Sequence, residues 1–302
     1  MPIHLPPLSR RQFVSGAVAA GAGLLLPGQG WAAEPPLDPN RWALLADTHV
    51  WERRDDAYRG AKPGPNFIQA REEILTLRPR PARAIVAGDN VFLKGHAADY
   101  AVLLDLVKPL RASGMALDLA LGNHDHRETF WQAMQSVLPK RSAPSVLLQR
   151  QVAVLETAAA NWFLLDSLEK TNSTPGLLGQ AQLGWLAKEL DARREKPALV
   201  LTHHYPTGFQ GLRDGAALLE LLAPRRQVKA HVFGHSHIWQ HSTAHGIHLV
   251  NLPATAWVFD QAQPHAWVDM TLAAGGATLV LHSLDKKHPK HGERLELTWR
   301  AG

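Results

Sequence analysis

The tetrapeptide Gly122-Asn123-His124-Asp125 offers an amide oxygen, an imidazole and a carboxylate directly after the apolar run Leu117 to Leu121. A turn of this kind at the end of a buried strand is poor core material and suits the binding of a metal ion. Four other segments share the form. They are Asp47-Thr48-His49 after Trp42 to Ala46, Gly88-Asp89-Asn90 after Ala84 to Ala87, His203-His204 after Ala198 to Thr202, and Gly234-His235-Ser236-His237 after His231 to Phe233. If the strands continue, Asp47 and His49 project from one side and can grip one ion, and so can His235 and His237. The chain has no cysteine, so thiolate zinc sites, disulfides and a cysteine nucleophile are excluded. Any bound metal takes nitrogen and oxygen ligands.

The elements that must carry these turns alternate between strand and helix. Trp42 to Ala46 is a continuous apolar run, as expected of a strand covered on both faces, and Ala84 to Ala87, Leu117 to Leu121, Ala198 to Thr202 and Ala230 to Phe233 are short, predominantly apolar strand candidates. Between them the spacing predicts helices near 67–77, 98–112, 128–137, 180–194 and 215–222. Val146 to Glu156 and Asn161 to Asp166 read as adjacent antiparallel strands, Ile247 to Asn251 as a further short strand, and Gly275-Gly276 as a hairpin turn between Ala266 to Leu272 and Ala277 to His282. The fold class is mixed α/β. At 302 residues and 45% apolar the chain is long enough for a substantial core. In ligand-binding α/β sheets, strand ends are where loops converge on a crevice.

Residues 1–32 read as an export signal, with 33–302 as the mature domain. Ser9-Arg10-Arg11-Gln12-Phe13-Val14 is similar to the twin-arginine signal, followed by a glycine- and alanine-diluted apolar stretch to Leu26 and small residues around Gly30 and Ala32. That stretch is shorter than the roughly 20 residues a membrane span needs. The expected location is therefore periplasmic or secreted, with the twin-arginine translocase as a partner during export. The formal charge is +5 and the pI near 9.6, but Arg10 and Arg11 leave with the signal. The remaining excess suits an anionic substrate. No basic stripe interleaved with aromatics marks a nucleic-acid surface, and no stable nucleic-acid or membrane partner is expected.

The ordered set DTH, GDN, GNHD, THH and GHSH resembles the calcineurin-like metallophosphoesterase family, and the layout is similar to its cyclic-nucleotide phosphodiesterase subgroup. Leu165 to Ser167, Gln182 to Leu186, and Asn251 with Pro253 extend the similarity across most of the mature chain. The resemblance implies a central β-sandwich flanked by helices, with a dimetal site at strand ends. It implies one divalent or Fe/Mn/Zn-type ion on Asp47, His49, Asp89 and His237. A second would be held by Asp89, Asn123, His203 and His235, with Asp89 bridging. The activity implied is hydrolysis of a small phosphodiester or phosphomonoester by a metal-bridging hydroxide. His124 is expected to act as general acid, with Asp125 orienting its ring.

Departures narrow the reading. Phe92 replaces the tyrosine of purple acid phosphatases, the HxHxDH pattern of metallo-β-lactamase-type hydrolases is absent, and the family's common HHPP is His203-His204-Tyr205-Pro206 here. Substrate contacts are expected among Arg53, Arg54, Arg59, Lys62, His204 and the segment Tyr205 to Leu212. Two rival readings are an inactive metal-binding scaffold and a nuclease. All the implied ligands and His124 are present, which a decayed enzyme would not be expected to retain.

Overall fold

Each apolar run becomes a strand because both of its faces are covered. A computed structural model describes residues 3–8, 36–135, 137, 146–147 and 150–302. Within it Trp42, Leu44, Ile85 and Ala87 belong to one buried cluster, while Ala43, Leu45, Ala84 and Val86 belong to another. Alternation at period two with both sets buried is what a continuous apolar run encodes.

In chain order the first part comprises β1 (Ile3–Leu5), β2 (Leu37–Leu45), α1 (Pro63–Thr76), β3 (Arg80–Val86), α2 (Ala97–Ala112), β4 (Ala116–Leu119) and α3 (Arg127–Gln135). Then come β5 (Val146–Leu147), β6 (Arg150–Gln151), β7 (Ala153–Glu156), β8 (Asn161–Leu164), α4 (Gln180–Asp191), β9 (Ala198–Leu201), α5 (Gly215–Leu222) and β10 (Val228–Phe233). The chain closes with β11 (Gln240–Ala244), β12 (Ile247–Asn251), β13 (Ala266–Ala273), β14 (Gly276–Ser283) and β15 (Arg294–Thr298).

One sheet has the order β1-β4-β3-β2-β13-β14-β15 and the other β11-β12-β10-β9-β8-β7. Strands β2, β3 and β4 run parallel, as do β8, β9, β10 and β12. The inner faces meet in a shared core in which Trp42 of the first sheet lies 5.1 Å from Trp162 of the second. The outer face of the first sheet is covered by Phe67, Ile74, Leu103 and Phe130 from α1, α2 and α3. That of the second is covered by Leu186, Leu190, Leu218 and Leu222 from α4 and α5. This is the expected sandwich between helices.

The long strand expected over 146–156 is instead broken into β5, β6 and β7, and only β7 pairs with β8. A hairpin joins β13 to β14 as expected, but its turn is Ala274-Gly275, one residue earlier, and Gly276 pairs with Ala273 as the first residue of β14. Three strands went unread, β1, β11 and β15, and all are edge strands. Residues 9–35, including the Arg10-Arg11 pair, lie outside the described residues. Ahead of them β1 pairs antiparallel with β4, Leu5 is buried, and Arg111 donates to the Pro6 carbonyl at 3.0 Å. Strands β2, β3, β4, β9 and β10 each end immediately before a ligand-bearing turn.

Candidate metal centre

β2 stops at Leu45, so Asp47 and His49 lie beyond the strand. Strand alternation, the expected reason for their convergence, does not operate. Both residues adopt left-handed backbone, with φ of 52° and 41°, and so do Asp89 (50°), His235 (72°) and His237 (59°). For non-glycine residues this conformation costs on the order of 1–3 kcal/mol each and persists only where the surroundings impose it. Here they do. The amide of Asp47 donates to the Gly88 carbonyl at 3.1 Å, that of His49 to the Asp89 carbonyl at 2.9 Å, and that of Gly234 to the His203 carbonyl at 2.9 Å.

The same turns divide the donor atoms of each ligand. Asp47 Oδ2 accepts the His235 amide at 3.0 Å and Asp89 Oδ1 accepts the His124 amide at 2.8 Å. The other carboxylate oxygens face the centre. Three imidazoles are aimed by backbone carbonyls, since Nδ1 of His203 donates to Ala87 at 2.8 Å, Nδ1 of His237 to Trp257 at 2.6 Å, and Nε2 of His235 to Gln210 at 3.0 Å. The remaining nitrogen of each ring then points inward, the usual arrangement for a metal-binding histidine.

The inward atoms converge. Asp47 Oδ1 lies 3.3 Å from His237 Nε2 and 3.9 Å from His49 Nε2, and Asp89 Oδ2 lies 3.6 Å from His49 Nε2 and 3.3 Å from His203 Nε2. His203 Nε2 is also 3.2 Å from Asn123 Oδ1 and 3.2 Å from His235 Nδ1. Asp47 Oδ1 and both ring nitrogens of His49 are buried without a hydrogen-bond partner. Orphaned buried donors and acceptors are rare because each costs about 1–3 kcal/mol. A cation held in the cluster satisfies Asp47 Oδ1 and His49 Nε2, which face it, and the residues fit the two-ion set that the family resemblance implies.

The charge balance agrees. Burial pushes Asp89 up, but His203 and His124 outweigh it and hold its carboxyl well below the ordinary value; His237 and His203 likewise hold Asp47 down against burial. Burial opposes a proton on His203, yet Asp89 and Asp47 raise it to about 9. Burial keeps His49 well below its ordinary value and, together with the His203 charge, lowers His235 to about 4. Two anionic carboxylates beside neutral imidazoles are a cation's surroundings, and binding of a metal releases the His203 proton.

His124 projects beside this cluster, its side chain 21% exposed and Nε2 4.0 Å from Asp89 Oδ2. Asp125 does not orient it, contrary to expectation. Asp125 is buried and accepts from the amides of Gly122 (2.9 Å) and Asn90 (3.2 Å), the Asn90 side chain (2.9 Å) and the Tyr100 hydroxyl (3.0 Å). The His124 ring is held instead by the Leu93 carbonyl, 2.9 Å from Nδ1. Asp125 shapes the turn that presents Asn123 and His124, and burial together with the Asp89 charge pushes its carboxyl up to about 6.

The calcineurin-like phosphoesterase family model matches residues 41–239, the span that contains every one of these turns. The chain belongs to that family. The phosphoesterase is 29% identical over 247 residues to the 3',5'-cyclic adenosine monophosphate phosphodiesterase of Pseudomonas aeruginosa, covering 79% of this chain and 84% of the relative. It is 28% identical over 257 residues to a cAMP/cGMP dual specificity phosphodiesterase of Mycobacterium tuberculosis, covering 81% and 74%. Among solved structures, a dimetal phosphatase from Danio rerio superposes with a TM-score of 0.65 at 16% identity, covering 87% of this chain and all of that one. The protein is thus a hydrolase of phosphoric esters with a metal-dependent activity, built on the calcineurin-like fold.

Around the centre of the phosphoesterase, three contributions escaped the sequence reading. Carbonyl groups at Ala87, Leu93, Gln210 and Trp257 aim the imidazoles, and a carbonyl has no sequence signature. The Trp257 ring stacks on His49 at 4.0 Å and 24°. His204 lies with His203 and His235 close enough to share an ion; Ser167 Oγ is 2.8 Å from its Nδ1, and its Nε2 is buried without a partner. Of the cations expected to contact substrate, Arg53 pairs with Asp56 at 3.5 Å and Arg54 with Asp105 at 3.4 Å. Lys62 caps α1. Arg59 lies over the Tyr58 and Phe259 rings.

Proposed function

We propose that the protein hydrolyses a small phosphodiester, a 3',5'-cyclic nucleotide being the favoured substrate, at a two-metal centre. The observation that carries this is the convergence of inward-facing carboxylate oxygens and ring nitrogens from Asp47, His49, Asp89, His203, His235 and His237, those of Asp47 and His49 without a partner, with Asn123 and the partly exposed His124 beside them. The cyclic-nucleotide assignment is supported by the chain's similarity to cyclic-nucleotide phosphodiesterases. Asp47, His49, Asp89 and His237 would hold one ion, and Asp89, Asn123, His203 and His235 the other. When bound, the ions supply Lewis acidity toward the phosphoryl oxygens and bring a water's pKa toward neutrality.

The remaining work falls to the chain itself. His124 donates the Nε2 proton to the departing alkoxide, while the Leu93 carbonyl, by accepting from Nδ1, fixes the ring. Asp89 binds the His124 amide, so the acid and the shared ligand keep their spacing. Arg59 raises the local concentration of anionic substrate.

The test is hydrolysis of bis(p-nitrophenyl) phosphate, p-nitrophenyl phosphate and cyclic AMP after metal removal and separate reconstitution with manganese, zinc and iron. Metal-restored turnover of the diester and the cyclic nucleotide is expected. A preference for the monoester would replace the diesterase reading by a phosphatase, and no turnover with two bound ions would leave a scaffold.

Residues 1–32 are proposed to deliver the folded protein to the periplasm through the twin-arginine translocase, as the Arg10-Arg11 pair suggests. Replacing both arginines by lysine is expected to strand the protein in the cytoplasm; unchanged periplasmic recovery would refute this. Among the described residues no helix is long and apolar enough to cross a membrane.

A further inference from the structure

Phe259 is 60% exposed and Phe209 95% exposed, and these are the exposed large aromatics among the described residues. Phe259 is tied to the metal centre. Two residues earlier, the Trp257 carbonyl accepts from His237 Nδ1 at 2.6 Å and the Trp257 ring stacks on His49. The Phe259 ring itself lies 4.6 Å from the His237 ring at 38°. The phenyl therefore leans on a candidate ligand while 60% of the residue stays exposed. The Arg59 guanidinium stands 5.2 Å from the same ring and 5.5 Å from Tyr58, in a turn where Arg59 has φ 51° and Gly60 φ 77°. This left-handed turn brings the cation against the ring.

We propose that Phe259, backed by Arg59, is the stacking platform for the planar base of a nucleotide whose phosphate occupies the metal centre. A flat π-face beside a delocalised cation accepts a nucleobase of any sequence identity, because every base offers a face and stacking needs no hydrogen-bond pattern. The proximity of the platform to His237 puts phosphate and base recognition on adjoining groups. The inference rests on the nucleotide reading above, and the ligands chosen below separate the two.

The test measures binding, by calorimetry, of adenosine 5'-monophosphate and ribose 5-phosphate to the manganese-loaded protein, with metal content verified for each variant. These ligands share phosphate and sugar and differ by the base. The wild type is expected to prefer the nucleotide. Phe259→Ala is expected to weaken nucleotide binding by on the order of tenfold while leaving ribose 5-phosphate unchanged, Phe259→Trp to retain the preference, and Arg59→Met to reduce it in part. For cyclic AMP, the Phe259→Ala loss is expected in KM rather than kcat.

Equal wild-type affinity for the two ligands overturns the platform, as does an equal loss for both in Phe259→Ala. If cyclic AMP is not hydrolysed but the nucleotide preference collapses in Phe259→Ala, the substrate assignment falls and the platform stands. If cyclic AMP is hydrolysed with an unchanged KM in that variant, the platform falls and the assignment stands.

Discussion

Replacing Gly122 by alanine would disturb the centre through a residue that carries no side chain. A Cβ built at Gly122 lies 2.1 Å from Asp89 Oδ1, 2.2 Å from the Asp89 amide nitrogen and 2.8 Å from Asp89 Cγ. Reaching ordinary van der Waals separation requires an opening of about 1 Å or more. Rotating the Asp89 side chain does not provide it, because one of the clashing atoms is backbone. The turn 122–125 must therefore move away from the turn that holds Asp89. That movement stretches the 2.8 Å bond from the His124 amide to Asp89 Oδ1 and the 3.2 Å and 2.9 Å bonds from the Asn90 amide and side chain to Asp125. Asp89, Asn123 and His124, the proposed shared ligand, second-ion ligand and acid, then lose their common register.

The expected magnitudes follow. Overpacking of this kind costs about 1–3 kcal/mol of stability, and a misplacement of about 1 Å costs on the order of 10²-fold in rate. Metal affinity should fall by about 10–100-fold, as when a group supporting a ligand is lost. Gly184→Ala is the control. Gly184 is exposed in α4 with nothing within 4 Å of its Cβ position, so alanine there should stabilise by roughly 0.5–1 kcal/mol and leave metal and rate unchanged. The assays are metal content after dialysis at defined free metal, thermal unfolding, and kcat/KM on bis(p-nitrophenyl) phosphate. A Gly122→Ala protein that binds two ions at wild-type affinity and turns over at the wild-type rate would refute the geometry of the centre.

Other substitutions separate the roles of the remaining groups. Asp89→Ala removes the shared ligand and should abolish both ions and turnover; two ions per chain in that variant would contradict the ligand assignment. His124→Ala should keep the metals and lose about 10²–10⁴-fold in rate, with the greatest loss on alkyl esters, whose leaving groups need a proton; equal losses on nitrophenyl and alkyl esters would remove its role as acid. His231 is fully buried in β10, and burial lowers its pKa to about 3. The unfolded chain binds a proton there below about pH 6.5 that the native state refuses, so this group's contribution to stability is lost as pH falls from 6.5 toward 3. His231→Phe should therefore flatten the pH dependence of unfolding free energy by about 1.4 kcal/mol per pH unit in the acid limb. Parallel wild-type and variant curves between pH 6 and 4 would show that His231 does not titrate as argued.

Much of the architecture was legible because two-sided burial leaves a one-dimensional trace. Trp42 to Leu45 contributes Trp42 and Leu44 to the inter-sheet core and Ala43 and Leu45 to the helical layer, so every position must be apolar and the run stands out. Edge strands leave no such trace. The Gln240–Ala244 strand is largely exposed and Arg294–Thr298 buries Leu297 alone among its side chains, so polar residues there look like loop. The ligand types were legible for the same reason, since a carboxylate or imidazole directly after a buried run needs a partner. What holds them was not. Asp125 follows His124 in the chain, and adjacency suggested a pair, yet the tight turn directs the carboxylate inward to Gly122, Asn90 and Tyr100 while the imidazole faces the opening and takes its bond from Leu93. Asp47, His49, Asp89, His235 and His237 are L-residues held in a conformation their own sequence disfavours, imposed by turns from distant strands that hydrogen-bond one another. The metal centre is therefore a property of the assembled strand ends, and a change that loosens those turns should weaken metal binding even when every ligand is retained.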